Sequence, residues 1–210
     1  MILPGVFIPL AQELGILDAL SGQLFGHACR DAITWPSDLS LSFNFSPSQL
    51  SDRRFADAIL TVLHETGLPP HRLEVEITES ALVEDLEATR HAIQTLRSSG
   101  VRVAIDDFGT GYSSLGQLTE LPVDVLKIDR TFVNRMDTPG SRAIVTAVVT
   151  LGQALGLTIT AEGVERADQA AQLSALGCDL LQGFHFGAGV SATQIAAMTF
   201  FGFGHGVSPG

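Results

Sequence analysis

The chain has 210 residues, 45% of them hydrophobic, which suits one globular domain with a sizeable core. A formal net charge of −11 argues against nonspecific binding to DNA, RNA or an anionic membrane surface, but not against a nucleotide held through metal ions in one pocket. The two cysteines, Cys29 and Cys178, form neither a CxxC pair nor a zinc pattern, so a reduced, intracellular protein is expected.

The opening "MILPGVFIPLAQELG" has no basic n-region, and Pro4 and Pro9 interrupt its apolar run, so it does not read as a signal peptide. Strands are predicted at "LSFNF" from Leu41, "LEVEIT" from Leu73, "VRVAID" from Val101, "VLKID" from Val125, "LTITAE" from Leu157 and "LLQGFHF" from Leu180. Helical patterns run over about 47–65, 84–98, 141–155 and 166–176, and Gly67, Gly100, Gly156 and Gly177 each follow a helix end. The stretch "AIVTAVVTLGQALGL" is too short to span a bilayer and carries Gln153, so no membrane segment is expected. The closing "TFFGFGHGVSPG" is glycine-rich, and 199–210 is expected to be a disordered tail behind a domain of residues 1–198.

Strands alternating with helices predict a parallel α/β sheet, either open and doubly wound or closed as a (β/α)8 barrel. Face composition decides between them. Leu73, Val75 and Ile77 oppose Glu74, Glu76 and Thr78, while Leu41, Phe43 and Phe45 oppose Ser42 and Asn44. A strand covered by helices on both faces reads as almost continuously apolar. One polar face in strand after strand therefore favours a TIM-like barrel, although six strands are visible where a closed one needs eight.

Near the C-terminal end of successive strands stand Asn44, Glu76, Asp106 with Asp107, Lys127, Glu162 and Gln182. In a barrel these positions converge on one mouth. Their excess of carboxylates over ammonium calls for divalent cations, and oxygen donors without Cys or His select magnesium or manganese over zinc. An adjacent Asp pair lets one carboxylate bridge two ions, as a two-metal displacement at phosphorus requires. Lys127 could orient the water or offset phosphate charge. Glu74 and Arg102 read as a structural ion pair, Asp129 as a cap or turn residue, and His185 as a core or rim histidine. Phe7, Phe25, Phe55 and Leu96 read as core.

The motifs "FIPLAQELG", "LSFNFSPSQL", "GLPPHRLEVEITES", "DDFGTGYSSLGQLTELPVDVLKIDRTFV", "AEGVE" and "GCDLLQGFHF" together resemble the EAL-domain family, the cyclic di-GMP phosphodiesterases of bacteria. The resemblance implies a cytoplasmic, usually dimeric barrel that hydrolyses cyclic di-GMP to linear pGpG with two magnesium or manganese ions. It implies Asn44, Glu76, Asp106 and Asp107 as metal ligands, and Lys127 and Glu162 as the groups that position the attacking water. Gln182 would lie at the substrate's edge, and Glu79 would hold the "DFGTGYSS" loop. The family's Glu-Ala-Leu strand, with its metal-binding glutamate, is expected upstream of residue 1, accounting for the two missing strands. "FHFGAGVSA" departs from the family's proline-containing stretch after the last strand. A module that binds the dinucleotide or a protein partner without turnover is the alternative.

Overall fold

The computed structural model describes residues 4–81, 85–110 and 115–198. Two helices, α1 (Pro4–Glu13) and α2 (Leu17–Ala32), precede strand β1 (Leu41–Phe45). The short α3 (Pro47–Leu50) and α4 (Phe55–Thr66) lead through a 3-10 turn at Pro70–Arg72 into β2 (Leu73–Thr78). Then come α5 (Leu86–Ser98), β3 (Arg102–Phe108), α6 (Leu115–Glu120), β4 (Val125–Ile128), α7 (Arg130–Asn134) and α8 (Pro139–Leu155). The chain continues through β5 (Thr158–Ala161), α9 (Ala167–Leu176), β6 (Leu180–Leu181) and α10 (Ala192–Met198).

All strand pairs are parallel, and the strands lie side by side in chain order from β1 to β6. This is the predicted barrel wall, with six strands among the described residues. Its curvature is visible in side chains that reach past a neighbouring strand. Arg102 on β3 donates to Thr158 on β5 at 3.3 Å, and Lys127 on β4 meets Glu76 on β2 at 2.7 Å.

The alternation read from the sequence divides the two faces. Leu73, Val75, Ile77, Val103, Ile105, Leu126, Ile128 and Ile159 turn outward, are buried, and form the core with Phe25, Ile59, Leu63, Ile93, Leu96, Val145 and Val149 from the helices. Local signals start and stop those helices. Asp85 caps α5 by accepting from Ala88 N at 3.0 Å, and Thr138 with Pro139 opens α8. Gly156 ends α8 with φ of 70°, a conformation that glycine adopts without strain.

Several expectations need correction. The predicted helix over 47–65 is broken, because the Asp52 carboxylate takes the Arg54 backbone N–H at 2.9 Å and turns the chain. Residues 4–32, left without a helix by the sequence reading, form α1 and α2, with Pro9 inside α1. Phe7 is only half-buried, on a helix whose Val6 and Leu10 are exposed, whereas Phe25, Phe55 and Leu96 are buried as expected. Strand β6 covers two residues and not seven. The tail expected over 199–210 lies outside the described residues. Among those described, no helix is long and apolar enough to cross a membrane.

Arg72 is the least expected member of the interior. It is buried with no carboxylate partner among the described residues, and its guanidinium donates to the carbonyls of Leu39 (2.9 Å), Ala32 (2.8 Å) and Pro36 (3.0 Å). These bonds tie the loop after α2 to the start of β2. Replacing Arg72 by Ala leaves the carbonyls unpartnered, so chemical denaturation is expected to show a loss of about 2–4 kcal/mol. An Arg72→Lys variant, lacking the planar fork, should recover less than half of that loss.

Candidate active site

The inward face of the sheet is polar at most positions, Ala104 and Val125 being apolar. Low in the wall, Arg102 lies 3.7 Å from Glu74, the structural pair expected from the sequence, and Ser42 donates to Glu74 at 3.4 Å. One step higher, Asn44 and Glu76 are direct neighbours in the β1–β2 register, and Asn44 Nδ2 donates to Glu76 Oε2 at 2.7 Å. The other Glu76 oxygen takes the Lys127 ammonium at 2.7 Å. Lys127 Nζ also lies 2.5 Å from Glu162 Oε1 and 3.4 Å from Asp106 Oδ1. With only 3% of Lys127 exposed, burial works against its charge, but Glu76, Glu162 and Asp106 outweigh that and hold the amine above its ordinary range. Burial conversely pushes the Glu162 carboxyl up, against the pull of Lys127.

Asp106 and Asp107 sit on an irregularity that the sequence did not announce. The β3–β4 register pairs Ile105 with Leu126 but Phe108 with Ile128, so β3 carries one extra residue there. Asp107 has φ of 55°, the one non-glycine in the left-handed region among the described residues. Neighbours on a regular strand point to opposite faces. Here the bulge brings the adjacent carboxylates together: one oxygen each from Asp106, Asp107 and Glu162 lie within 4.8 Å of one another. Burial, with the Asp106 and Asp129 charges, pushes the Asp107 carboxyl up from 3.8 to about 6. Protonated, it donates to Asp129. Burial opposes the Asp129 charge, but that bond and two from Thr131 hold its carboxyl below the usual range.

The predicted site residues thus fall into one neighbourhood. Asn44, Glu76, Asp106, Lys127 and Glu162 form a continuous chain of contacts, with Asp107 attached through Asp106 and Glu162. Gln182 follows β6 at the rim and makes no side-chain bond among the described residues; its backbone pairs with Ala161 and Val164. Glu79 is buried and accepts from Gly109 N at 3.0 Å, pinning the start of the predicted loop, whose residues 111–114 lie outside those described. His185 is an exposed rim residue against Phe186. The sequence reads Asp129 as a cap or turn residue. It does cap α7 through Thr131 N, but it also meets Asp107, and its place two residues past Lys127, on the same face just beyond β4, is the available signal.

The family model described as "EAL domain" matches residues 1–188. The chain is 40% identical over 187 residues to the cyclic di-GMP phosphodiesterase RocR of Pseudomonas aeruginosa, covering 87% of this chain and 48% of RocR. Among solved structures, the phosphodiesterase of MucR, a bifunctional protein of the same organism, in complex with c-di-GMP superposes with a TM-score of 0.88. The identity is 39%, over 92% of this chain and 81% of that one. The manganese and cyclic di-GMP complex of Klebsiella pneumoniae BlrP1 gives 0.69 at 31% identity, over 80% and 43% of the two chains. The chain spans less than two thirds of the length of the curated relatives it matches.

The proton between Asp107 and Asp129 has a measurable consequence. A carboxyl whose pKa is higher folded than unfolded binds more protons in the native state, so stability falls as pH rises through the window between the two values. For Asp107 that window runs from 3.8 to about 6. In chelator, Asp107→Asn should weaken the fall in melting temperature across it. At pH 7 the variant should melt roughly 2–4 °C above the parent, because Asn tolerates the left-handed backbone and carries no charge. Calorimetry at stepped pH checks both.

Proposed function

The chain belongs to the EAL domain family, and from that premise we propose that its carboxylate cluster hydrolyses one phosphodiester of cyclic di-GMP, leaving linear pGpG. The observation that carries this reading is the geometry around Asp106. Its carboxylate stands beside the Lys127 ammonium that Glu76 shares, and its oxygen also meets those of Asp107 and Glu162 within 4.8 Å. Two oxygen-donor groups with one shared member are what a pair of hard divalent ions takes, and the donors include neither sulfur nor imidazole. Asn44, Glu76 and Asp106 would hold one magnesium or manganese ion, and Asp106, Asp107 and Glu162 the other. Such ions, when bound, lower the pKa of water and stabilise both oxygens of an in-line displacement.

The chain's own residues do the rest. Lys127 orients the attacking water and offsets charge on the phosphate, while Glu162, whose carboxyl is pushed up by burial, accepts the water's proton. A new bond forms from the water oxygen to phosphorus, and the bond from phosphorus to the ribose 3′ oxygen breaks. That oxygen takes a proton from solvent as it leaves, Glu162 returns its proton to solvent, and the opened ring keeps a 5′-phosphate. Gln182, exposed at the rim, steadies the substrate, and Glu79 keeps the turn at Gly109 in place through its 3.0 Å bond. The BlrP1 complex, in which manganese and the dinucleotide occur together, supports the choice of ion.

Incubation of the purified protein with cyclic di-GMP and manganese, followed by chromatography, is expected to yield pGpG. Asp106→Ala, which removes the carboxylate common to both groups, should lower the rate by at least about 10³-fold. A folded protein that binds the dinucleotide but makes no product would replace this reading with that of a binding module.

A further inference from the structure

Two cavities open on the inner face of the wall, beside the residues that follow β6. One, of about 520 Å³, is lined by Ser42, Glu74, Lys127, Thr160, Gln182 and Phe186; the other, of about 430 Å³, by Arg130, Glu162, Glu165, Gln182 and Phe184. Gln182 and Gly183 border both, so the two form adjoining lobes, one reaching Lys127 and the other Glu162 of the cluster. Lys127 and Arg130 are the basic side chains lining them among the described residues. Lys127 is already engaged by three carboxylates. Arg130 is exposed, and among the described residues its guanidinium has no ion pair or hydrogen bond. Arg54, Arg90, Arg97, Arg102 and Arg166, by contrast, each face a carboxylate.

The backbone holds Arg130 where it is. Gly163, directly after Glu162, has φ of 67°, and a Cβ there would collide with the Arg130 side-chain stem. Glycine at 163 therefore lets the Arg130 stem pack against the backbone directly after Glu162, and Arg130 lines the second lobe.

We propose that Arg130 binds the phosphate of the cyclic dinucleotide that is not being cleaved. This rests on the function proposed above. A cyclic dinucleotide carries two phosphodiesters, and only one can lie on the cluster of Asp106, Asp107 and Glu162. The other remains anionic beside a mouth rich in carboxylates, where an unengaged guanidinium is the fitting partner. Arg130 is on this assignment a binding residue that leaves the chemistry of the scissile phosphate alone.

Steady-state hydrolysis of cyclic di-GMP with manganese, at several salt concentrations, tests the assignment. Arg130→Ala is expected to raise KM about tenfold with kcat unchanged within twofold, and to flatten the salt dependence of kcat/KM. Arg130→Lys should recover most of the KM, because an ammonium also meets a phosphate as a point charge. An unchanged KM in Arg130→Ala, or a loss confined to kcat, would overturn the proposal. So would equal losses in the Ala and Lys variants, which would mark a two-pronged contact with a guanine edge. If the parent protein neither binds nor hydrolyses the dinucleotide, the function proposed above falls as well. If the parent is active and Arg130→Ala behaves like it, only the role of Arg130 falls.

Discussion

The ammonium of Lys127 holds the inner face of this sheet together. It is buried on β4, between Glu76 on β2 and Glu162 beyond β5, with Asp106 on β3 also in reach. Three strands thus direct carboxylates at one cation, which draws the wall into its curve. Removing one partner from a buried ionic group of this kind costs about 3–5 kcal/mol, because the remaining charges lose compensation without regaining water. One lysine nevertheless does not neutralise the neighbourhood, since Asp107 and Asp129 lie just outside its contacts. There burial and neighbouring charge push the Asp107 carboxyl up to about 6, and a site that favours a proton in this way also favours a divalent cation in its place.

The division between the faces explains how the chain tolerates so polar an interior. The outward residues of β2 to β5 make the core with the helices, so stability is carried on the far side of the sheet from the cluster. In a TIM barrel the inward layers are commonly branched apolar residues. Here they are polar, and they satisfy one another across strands: Ser42 and Arg102 meet Glu74, and Arg102 continues to Thr158. Inward substitutions therefore act on charge and hydrogen bonding, and outward ones on packing.

Much of this was legible in the sequence because it depends on period-two alternation. That pattern gave the strand positions, the polar inward face and the row of strand-end residues from Asn44 to Gln182. Features set by single backbone events were not legible. The break between α3 and α4 arises from one carboxylate turning the chain at Asp52, within a pattern that reads as one continuous helix. Prolines at 4 and 9 argue against a helix, yet α1 forms there and packs against α2. Arg72 resembles any surface arginine until the carbonyls of a loop more than thirty residues earlier fold over it.

The adjacent aspartates show how sequence and backbone share the task. Composition places two carboxylates in succession, but a regular strand would send one into the apolar core. The extra residue in β3 and the left-handed turn at Asp107 redirect them, at a conformational cost of order 1–2 kcal/mol that Asp bears better than most residues. Two carboxylates stabilise the distortion from outside β3. Glu79 accepts from the amide of Gly109 just past the bulge, and Asp129 accepts a hydrogen bond from the Asp107 carboxyl when that is protonated. Asp129 at the same time caps α7, whose first residue is Arg130. One residue just past β4 thus meets the Asp107 carboxyl and opens the helix that begins with Arg130, which ties the cluster to the backbone of the lobe beside it.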